Sequence, residues 1–277
     1  LNGILSERDD LSDVATIIHG TTVATNALLE RKGSKTGVIT SKGFKDVLEM
    51  RRRDRPDTWG LWGKYKPIVP RDLRLEVKER TLADGTIRDC VDVNEIQDSA
   101  RKLLEEGCEA LSIIFINSYA NDQNEKIAKG VIKDIWPNGH ITVSSEILPE
   151  IREFERASTS TLNAILQPVL SHYLGALDKT LTNKGFLGQV LIVQSNGGVM
   201  SVDNAKALPI KTALSGPAAG VIAASHIGVT AGYPNIVSCD MGGTSFDVSL
   251  ISDGQSKRAA KTSIDFGMVV RCSVGDI

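Results

Sequence analysis

Asp240-Met-Gly-Gly-Thr-Ser-Phe-Asp247 decides how the rest of the chain is read. Residues 236–239 ahead of it are a short apolar run of strand type. Residues 248–251 behind it alternate with period two, so the two runs are expected to pair as a hairpin. Gly242 and Gly243 are expected to make the turn; lacking a Cβ, they can adopt positive φ and let a ligand approach the backbone. Successive N–H groups in such a turn form a nest for an anion. Thr244 and Ser245 add hydroxyl donors, and Asp240 and Asp247 add hard carboxylate oxygens of the kind that hold Mg²⁺ while phosphate completes the shell. Phosphate with Mg²⁺ is therefore the expected occupant; the plainer alternative is a Gly-Gly hairpin whose flanking acids are merely solvated.

The string resembles the phosphate loop shared by actin, the sugar kinases and the heat-shock-chaperone ATPases, in which nucleotide lies between two related halves. It is not a Walker-type loop, since no G-x-x-x-x-G-K-[ST] occurs in the chain. Composition agrees with a globular protein: 277 residues, 41% hydrophobic and 24% charged, enough for two domains or one large one. A net charge of −2 carries no electrostatic footprint for nucleic acid. Cys90, Cys108, Cys239 and Cys272 are scattered without a C-x-x-C pair and read as reduced thiols of a cytoplasmic protein. No apolar run reaches the ~18 residues of a membrane helix, and no signal peptide is visible. Both ends look cut, so a segment of something longer is expected.

Upstream, an apolar run leads into His19-Gly-Thr-Thr-Val-Ala-Thr-Asn26, a donor-rich turn before a helix over 23–31 with Gly33 as its C-cap signal. Such a turn can receive a phosphate or carbonyl oxygen. Equally, Thr21 or Thr22 can be a plain N-cap and His19 a structural histidine. A strand over 36–40 follows, then a helix over 42–50 capped by Ser41. Next come the arginines of Arg51-Arg-Arg-Asp-Arg55 among Trp59, Trp62 and Tyr65, read as a solvated face in preference to an anion clamp. A strand over 75–82 leads to a turn at Asp84-Gly85. From there strands (109–116, 141–145) alternate with helices, one opened by a capping box of Asp92 and Glu95, which implies a largely parallel sheet under helices. Residues 148–155 read as a charged connector. Beyond them, Leu162, Ile165, Leu166, Val169, Leu170, Tyr173, Leu174 and Leu177 form a core-facing helical stripe, with Pro168 marking a kink or two abutting helices. A strand over 190–194 runs into Ser195-Asn-Gly-Gly198, a strand-end turn where α/β sheets place ligands, or simply a turn. Leu214-Ser-Gly-Pro-Ala-Ala-Gly220 opens the helix before the hairpin, with Ser215 or Gly216 as cap and Pro217 at its first position.

Together, the HGTTVATN turn, Gln194-Ser-Asn-Gly-Gly198, Ser215-Gly-Pro-Ala-Ala-Gly220 and Asp240–Asp247 resemble, in order and spacing over nearly the whole chain, the hydantoinase A / 5-oxoprolinase family. The resemblance implies an α/β chain of actin/sugar-kinase-like (ribonuclease H-like) ATPase fold, partial, with an additional α/β unit. Residues 1–145 would be the N-terminal-type region and 146–277 the first part of the ATPase domain. It implies ATP-dependent hydrolysis of a cyclic amide (hydantoin or 5-oxoproline), or the nucleotide-binding subunit of an acetone or acetophenone carboxylase, by phosphorylation of a carbonyl or enol oxygen. The cofactors are ATP and Mg²⁺, and the partners a hydantoinase B-type subunit or domain within an oligomer. His19, Thr21, Thr22 and Asn196 would be catalytic. Asp240, Gly242, Gly243, Thr244, Ser245 and Asp247 would bind nucleotide, with Asp240 and Asp247 at the metal. A second phosphate loop ahead of His19 and a glycine-rich segment beyond Ile277 belong to the family pattern, so the segment alone is expected to be inactive. A chaperone-like or filament ATPase, or a sugar or acetate kinase, would share the hairpin but has no need of the two other polar turns.

Overall fold

The computed structural model describes residues 11–52, 66–241, 246–256, 258–259, 262–265, 268–271 and 274–275. In chain order the main elements are strand β1 (Thr16–His19), helix α1 (Val23–Leu29), β2 (Thr36–Ser41), β3 (Arg74–Val77), α2 (Val93–Glu105), β4 (Ala110–Ile114), α3 (Gln123–Lys133) and β5 (Ile141–Val143). There follow the 31-residue α4 (Glu153–Asn183), β6 (Gln189–Val193), β7 (Val199–Ser201), α5 (Ser215–Thr230), β8 (Ile236–Met241), β9 (Phe246–Ser252) and β10 (Gln255–Ser256). They divide into two compact units, one of residues 27–168 and 261–272, the other of residues 1–26, 169–260 and 273–277.

The first unit is built on a four-stranded sheet in the order β3-β2-β4-β5, every pairing parallel. β2, β4 and β5 are buried along their whole length, so none shows the in–out alternation of a half-exposed strand, and the buried Thr36, Thr40, Ser41, Ser112 and Thr142 lie among their apolar residues. Asp92 caps α2 by accepting from the N–H groups of Asn94 and Glu95 (2.9 and 3.2 Å). The expected capping box is only half made: Glu95 accepts instead from the Lys78 N–H, and the Asp92 N–H is held by the Lys78 carbonyl. The expected helix over 42–50 shrinks to Val47–Met50. Gly43 has φ +91°, and the Lys42 and Gly43 N–H groups bond to the Val77 carbonyl and the Glu76 carboxylate, which keeps the segment on the end of β3. The C-cap of α1 also differs from expectation. Arg31, at φ +52°, takes the left-handed position, with Lys32 N–H on Ala27 O and Arg31 N–H on Leu28 O as in a Schellman motif. Gly33 instead lies where any Cβ would strike Ile165.

Strand order reverses between β2 and β4, the place where open α/β sheets commonly bind ligands. Here the crevice is filled by the protein itself, and the cavity between Thr40, Phe44, Leu48, Ile116 and Glu153 is ≈ 20 Å³, room for about one water. Buried polar side chains join the strand ends. Glu79 accepts from the Ser41 hydroxyl and from Asn124 Nδ2 (2.9 Å), and Ser41 Oγ accepts from the Ile116 N–H (2.9 Å). Glu125 accepts from the Phe115 and Ser145 N–H groups (2.8 and 2.9 Å) and from Ser144 Oγ (2.6 Å).

Burial pushes the Glu79 carboxyl above its usual pKa, against the opposing hydrogen bonds from Ser41 and Asn124. A folded-state pKa raised above the unfolded value contributes stability below the unfolded value of about 4.3, and loses it as pH rises through the folded one. Glu79→Gln is therefore expected to gain stability relative to the wild type between pH 4.5 and pH 7.5, measured by urea unfolding at both pH values. A wild-type advantage that grows with pH would contradict this.

α4 begins at Glu153, inside the stretch expected to be a charged connector, and runs unbroken through Pro168. The leucine stripe is core, with Leu162, Leu166, Leu170 and Leu174 at 0% exposure. The polar run before it is buried as well, and Arg156, Ser158 and Thr159 have hydrogen-bond partners there. The Ser158 hydroxyl donates to the Val269 carbonyl (2.7 Å) and accepts from its N–H (3.0 Å), as a neighbouring strand would. Arg156, fully buried, donates to the Phe115 and Glu150 carbonyls (2.9 and 3.0 Å) and to Ser144 Oγ (3.2 Å), and pairs with Glu153. Glu155, 2% exposed, pairs with Arg52. The rest of the basic aromatic loop, residues 53–65, lies outside the described residues.

The second unit holds two three-stranded sheets and a two-stranded pairing of residues 258–259 with 274–275. β1 and β6 pair in parallel and β6 and β7 antiparallel, while β8, β9 and β10 form an antiparallel meander. Val237/Leu250, Cys239/Val248 and Met241/Phe246 face each other in register on one side of the β8–β9 ribbon, and all six are exposed.

Candidate functional site

β1 ends at His19 and β6 at Val193, and His19 is in register with Ile192. The HGTT and QSNGG turns therefore leave the same edge of one parallel pair. α5 runs beside both. A Cβ on Gly20 would lie 3.9 Å from the Gly216 Cα and 4.0 Å from the Ala219 Cβ, and one on Gly216 would lie 3.1 Å from the Thr22 methyl. Gly197, at φ +82°, sits where a Cβ would collide with Ile222. One turn along from Gly216, a Cβ on Gly220 would lie 3.9 Å from Asp240 Oδ2. Four residues of helix advance about 6 Å. Two turns and the end of β8, far apart in sequence, thus meet two turns of a single helix, and the small residues of Ser215-Gly-Pro-Ala-Ala-Gly220 are what permit the approach.

The start of α5 differs from its sequence reading. Ser215 is the first helical residue, Pro217 the third, and the cap is Leu214 at φ +67° with no side-chain capping bond. A branched residue in that left-handed region costs on the order of 1–2 kcal/mol. It is held by the first turn: the Leu214 N–H donates to Thr25 Oγ1 (2.8 Å), and the Ser215 hydroxyl donates to the Thr21 carbonyl (3.0 Å). Ser195 tethers the other turn, with its N–H on the Lys211 carbonyl (2.7 Å) and its hydroxyl between the Lys211 and Ala213 carbonyls. Thr25 and Ser195 were inside the quoted motifs, yet nothing local marked them as ties.

His19 is half-buried, and its Nε2 lies 2.8 Å from the Tyr173 hydroxyl. Burial lowers its pKa, which favours the neutral ring. Thr21 is buried and its Oγ1 accepts from the Val23 N–H (3.2 Å), the N-cap-like bond of the plainer alternative. Thr22 is exposed, with Oγ1 3.4 Å from Asn26 Nδ2. Asn196 Oδ1 accepts from the Gly198 N–H (2.8 Å), so what its side chain offers a ligand is the amide N–H pair.

Asp240 and Asp247 are directly opposed across the β8–β9 hairpin, which puts both carboxylates on one face. With Pro217, Gly220, Ala224 and Ser238 they line a pocket of ≈ 360 Å³. Gly242, Gly243, Thr244 and Ser245 lie outside the described residues. No group of three or more His, Cys, Asp or Glu suited to a metal occurs among the described residues. Two in-register carboxylates nonetheless fit Mg²⁺, which binds through one or two carboxylates and takes its other oxygens from phosphate and water. The first unit has a larger pocket of ≈ 500 Å³ walled by Leu28, Val69, Leu73, Leu162 and Ile165, to which none of the expected site residues belongs.

Fold and turns place the chain among α/β proteins that gather polar residues at the carboxyl ends of parallel strands. It belongs to the hydantoinase/oxoprolinase family: the model of the hydantoinase/oxoprolinase N-terminal region matches residues 2–136, and that of hydantoinase/oxoprolinase matches residues 156–276. The alpha subunit of caprolactamase from Pseudomonas jessenii is 32% identical over 249 residues, 89% of this chain and 36% of that protein. The 5-oxoprolinase of Saccharomyces cerevisiae is 32% identical over 300 residues, 97% of this chain and 23% of that protein. Among solved structures, nucleotide-free acetone carboxylase, from a description of ATP-dependent acetone carboxylation, superposes with a TM-score of 0.83 at 28% identity, covering 96% of this chain and 39% of that one. The chain thus spans about a quarter to two fifths of these relatives. Among the described residues, no helix is long and apolar enough to cross a membrane.

Proposed function

We propose that the chain is part of a cytoplasmic enzyme that uses ATP and Mg²⁺ to hydrolyse a cyclic amide of the hydantoin or 5-oxoproline type. The observation that carries this reading is the convergence on α5: the HGTT and QSNGG turns and Asp240 all pack within residues 216–222 of that helix. A phosphate held at the hairpin and a carbonyl held at the strand ends would then be neighbours. Asp240 and Asp247 would hold the metal. Gly242, Gly243, Thr244 and Ser245 would cradle the phosphates, and His19, Thr21, Thr22 and Asn196 would bind and orient the substrate carbonyl. Bound MgATP supplies the phosphoryl group that turns a poor amide oxygen into a good leaving group. The protein's part is in-line placement and charge neutralisation. We further read the hairpin-bearing unit as part of an actin/sugar-kinase-like (ribonuclease H-like) fold. Residues 1–145 and 146–277 are taken as N-terminal-type region and first part of the ATPase domain, working with a hydantoinase B-type partner in an oligomer.

Carboxylation of a ketone is the second reading, favoured by the acetone carboxylase likeness. Steady-state ATPase assays of the full-length protein with hydantoins, 5-oxoproline, acetone and acetophenone, with and without bicarbonate, separate the two. Stimulation by a cyclic amide without bicarbonate is expected. Stimulation by ketones alone would replace the first reading with the second.

A further inference from the structure

We propose that Tyr173 is a positioning residue for His19: its hydroxyl holds the imidazole as the Nδ1–H tautomer, so that the ring serves the site as a hydrogen-bond donor and not as a base. This rests on the reading above, in which His19 serves the substrate carbonyl. The contact joins residues 154 apart in sequence, the last residue of β1 and the middle of α4, at 2.8 Å between Nε2 and the phenol oxygen. The ring centroids are 5.9 Å apart and the planes tilted by 31°, so the rings meet through the hydroxyl and are not stacked. Leu170, Leu174 and Leu177, all buried, pin α4 on both sides of Tyr173 and so fix where its hydroxyl stands.

The direction of the bond follows from the two groups. A phenol oxygen shares its lone pairs with the ring and is a better donor than acceptor, while the unprotonated nitrogen of a neutral imidazole is only an acceptor. O–H···Nε2 is then the favoured arrangement, and in a neutral ring it leaves the proton on Nδ1. The lowered pKa of His19 keeps the ring in that neutral form near pH 7. An Nδ1–H donor stabilises negative charge on a carbonyl oxygen as an oxyanion-hole group does. It has no lone pair free to take a proton from water, so removal of that proton would fall to another group.

The test uses the full-length protein labelled with ¹⁵N-histidine, with His19→Gln to assign the His19 signals and Tyr173→Phe as the variant. Wild type is expected to show a protonated Nδ1 and a hydrogen-bonded, unprotonated Nε2, and Tyr173→Phe to lose this preference and average the tautomers. With an unchanged melting temperature, the kcat of Tyr173→Phe should fall on the order of tenfold, with KM within about twofold, as for a contact that matters more in the transition state than in the ground state. A proton on Nε2 in wild type, or His19 nitrogen shifts unchanged by Tyr173→Phe, overturns the proposal. Full turnover in His19→Gln would instead overturn the role given to His19 above, and the nitrogen shifts would still decide the place of Tyr173 by themselves.

Discussion

Replacing Asp240 by alanine in the full-length protein should reduce substrate-dependent ATP turnover on the order of 10²–10³-fold, the scale of losing one preorganised electrostatic contact in an active site. Asp240 stands exposed near the end of β8, facing the pocket against α5, and contributes no core packing. Surface substitutions of that kind usually stay within about 0.5 kcal/mol of neutral, so the melting temperature should move by no more than about 2 °C. Activity and stability are thus expected to separate cleanly. Steady-state ATPase kinetics beside a thermal melt decide the matter, and near-normal turnover would mean that the nucleotide has been put in the wrong place.

The opposite pattern is expected for Arg156→Ala. Its guanidinium donates to two carbonyls, to Ser144 Oγ and to Glu153, at 0% exposure. Ser144 in turn donates to the buried Glu125, so one side chain holds together the ends of β4 and β5 and the start of α4. Removing one partner of a buried ion pair leaves the other charge and several carbonyls uncompensated, which costs about 3–5 kcal/mol. In a protein of this size that is a loss of about 10 °C in melting temperature. Thermal unfolding followed by circular dichroism measures it, and a shift below about 2 °C would show that the cluster is solvated and carries little of the fold.

What the sequence made legible was local in origin. The β8–β9 hairpin, the strands at 36–41 and 110–114 and the leucine face of α4 all follow from residue patterns spanning fewer than twenty residues. The errors arise where a group has a distant partner. Ser41 looked like a cap for the helix after it, but its hydroxyl is engaged by Glu79 and the Ile116 N–H. Glu95 looked like half of a capping box, but the Lys78 N–H holds it. Residues 153–155 read as the end of a charged connector, yet they open α4, and Glu155 is buried through its pairing with Arg52, about a hundred residues earlier in the chain. At the candidate site the motifs themselves could be quoted, but Tyr173 could not be told from its leucine neighbours, since a stripe position says that a side chain faces inward and nothing about its hydroxyl. Nor did any spacing reveal that α5 would be the common wall of two turns and the end of β8.

The two faces of the β8–β9 ribbon also bear on handling. One carries Asp240 and Asp247; the other presents Val237, Met241, Phe246, Val248 and Leu250 at 43–80% exposure. Phe246-Asp-Val-Ser-Leu-Ile-Ser252 combines high β-propensity with little charge and no proline, the makeup of a segment that zips with copies of itself. Asp247 is its single charge, placed where natural sequences keep a gatekeeper against clumping. One carboxylate thus guards the colloidal behaviour of the ribbon as well as facing the pocket, and neutralising Asp247 would remove both services at once. An Asp247 variant that loses activity should therefore be judged on its monodisperse fraction, and Asp240, outside that window, is the cleaner residue on which to read catalysis.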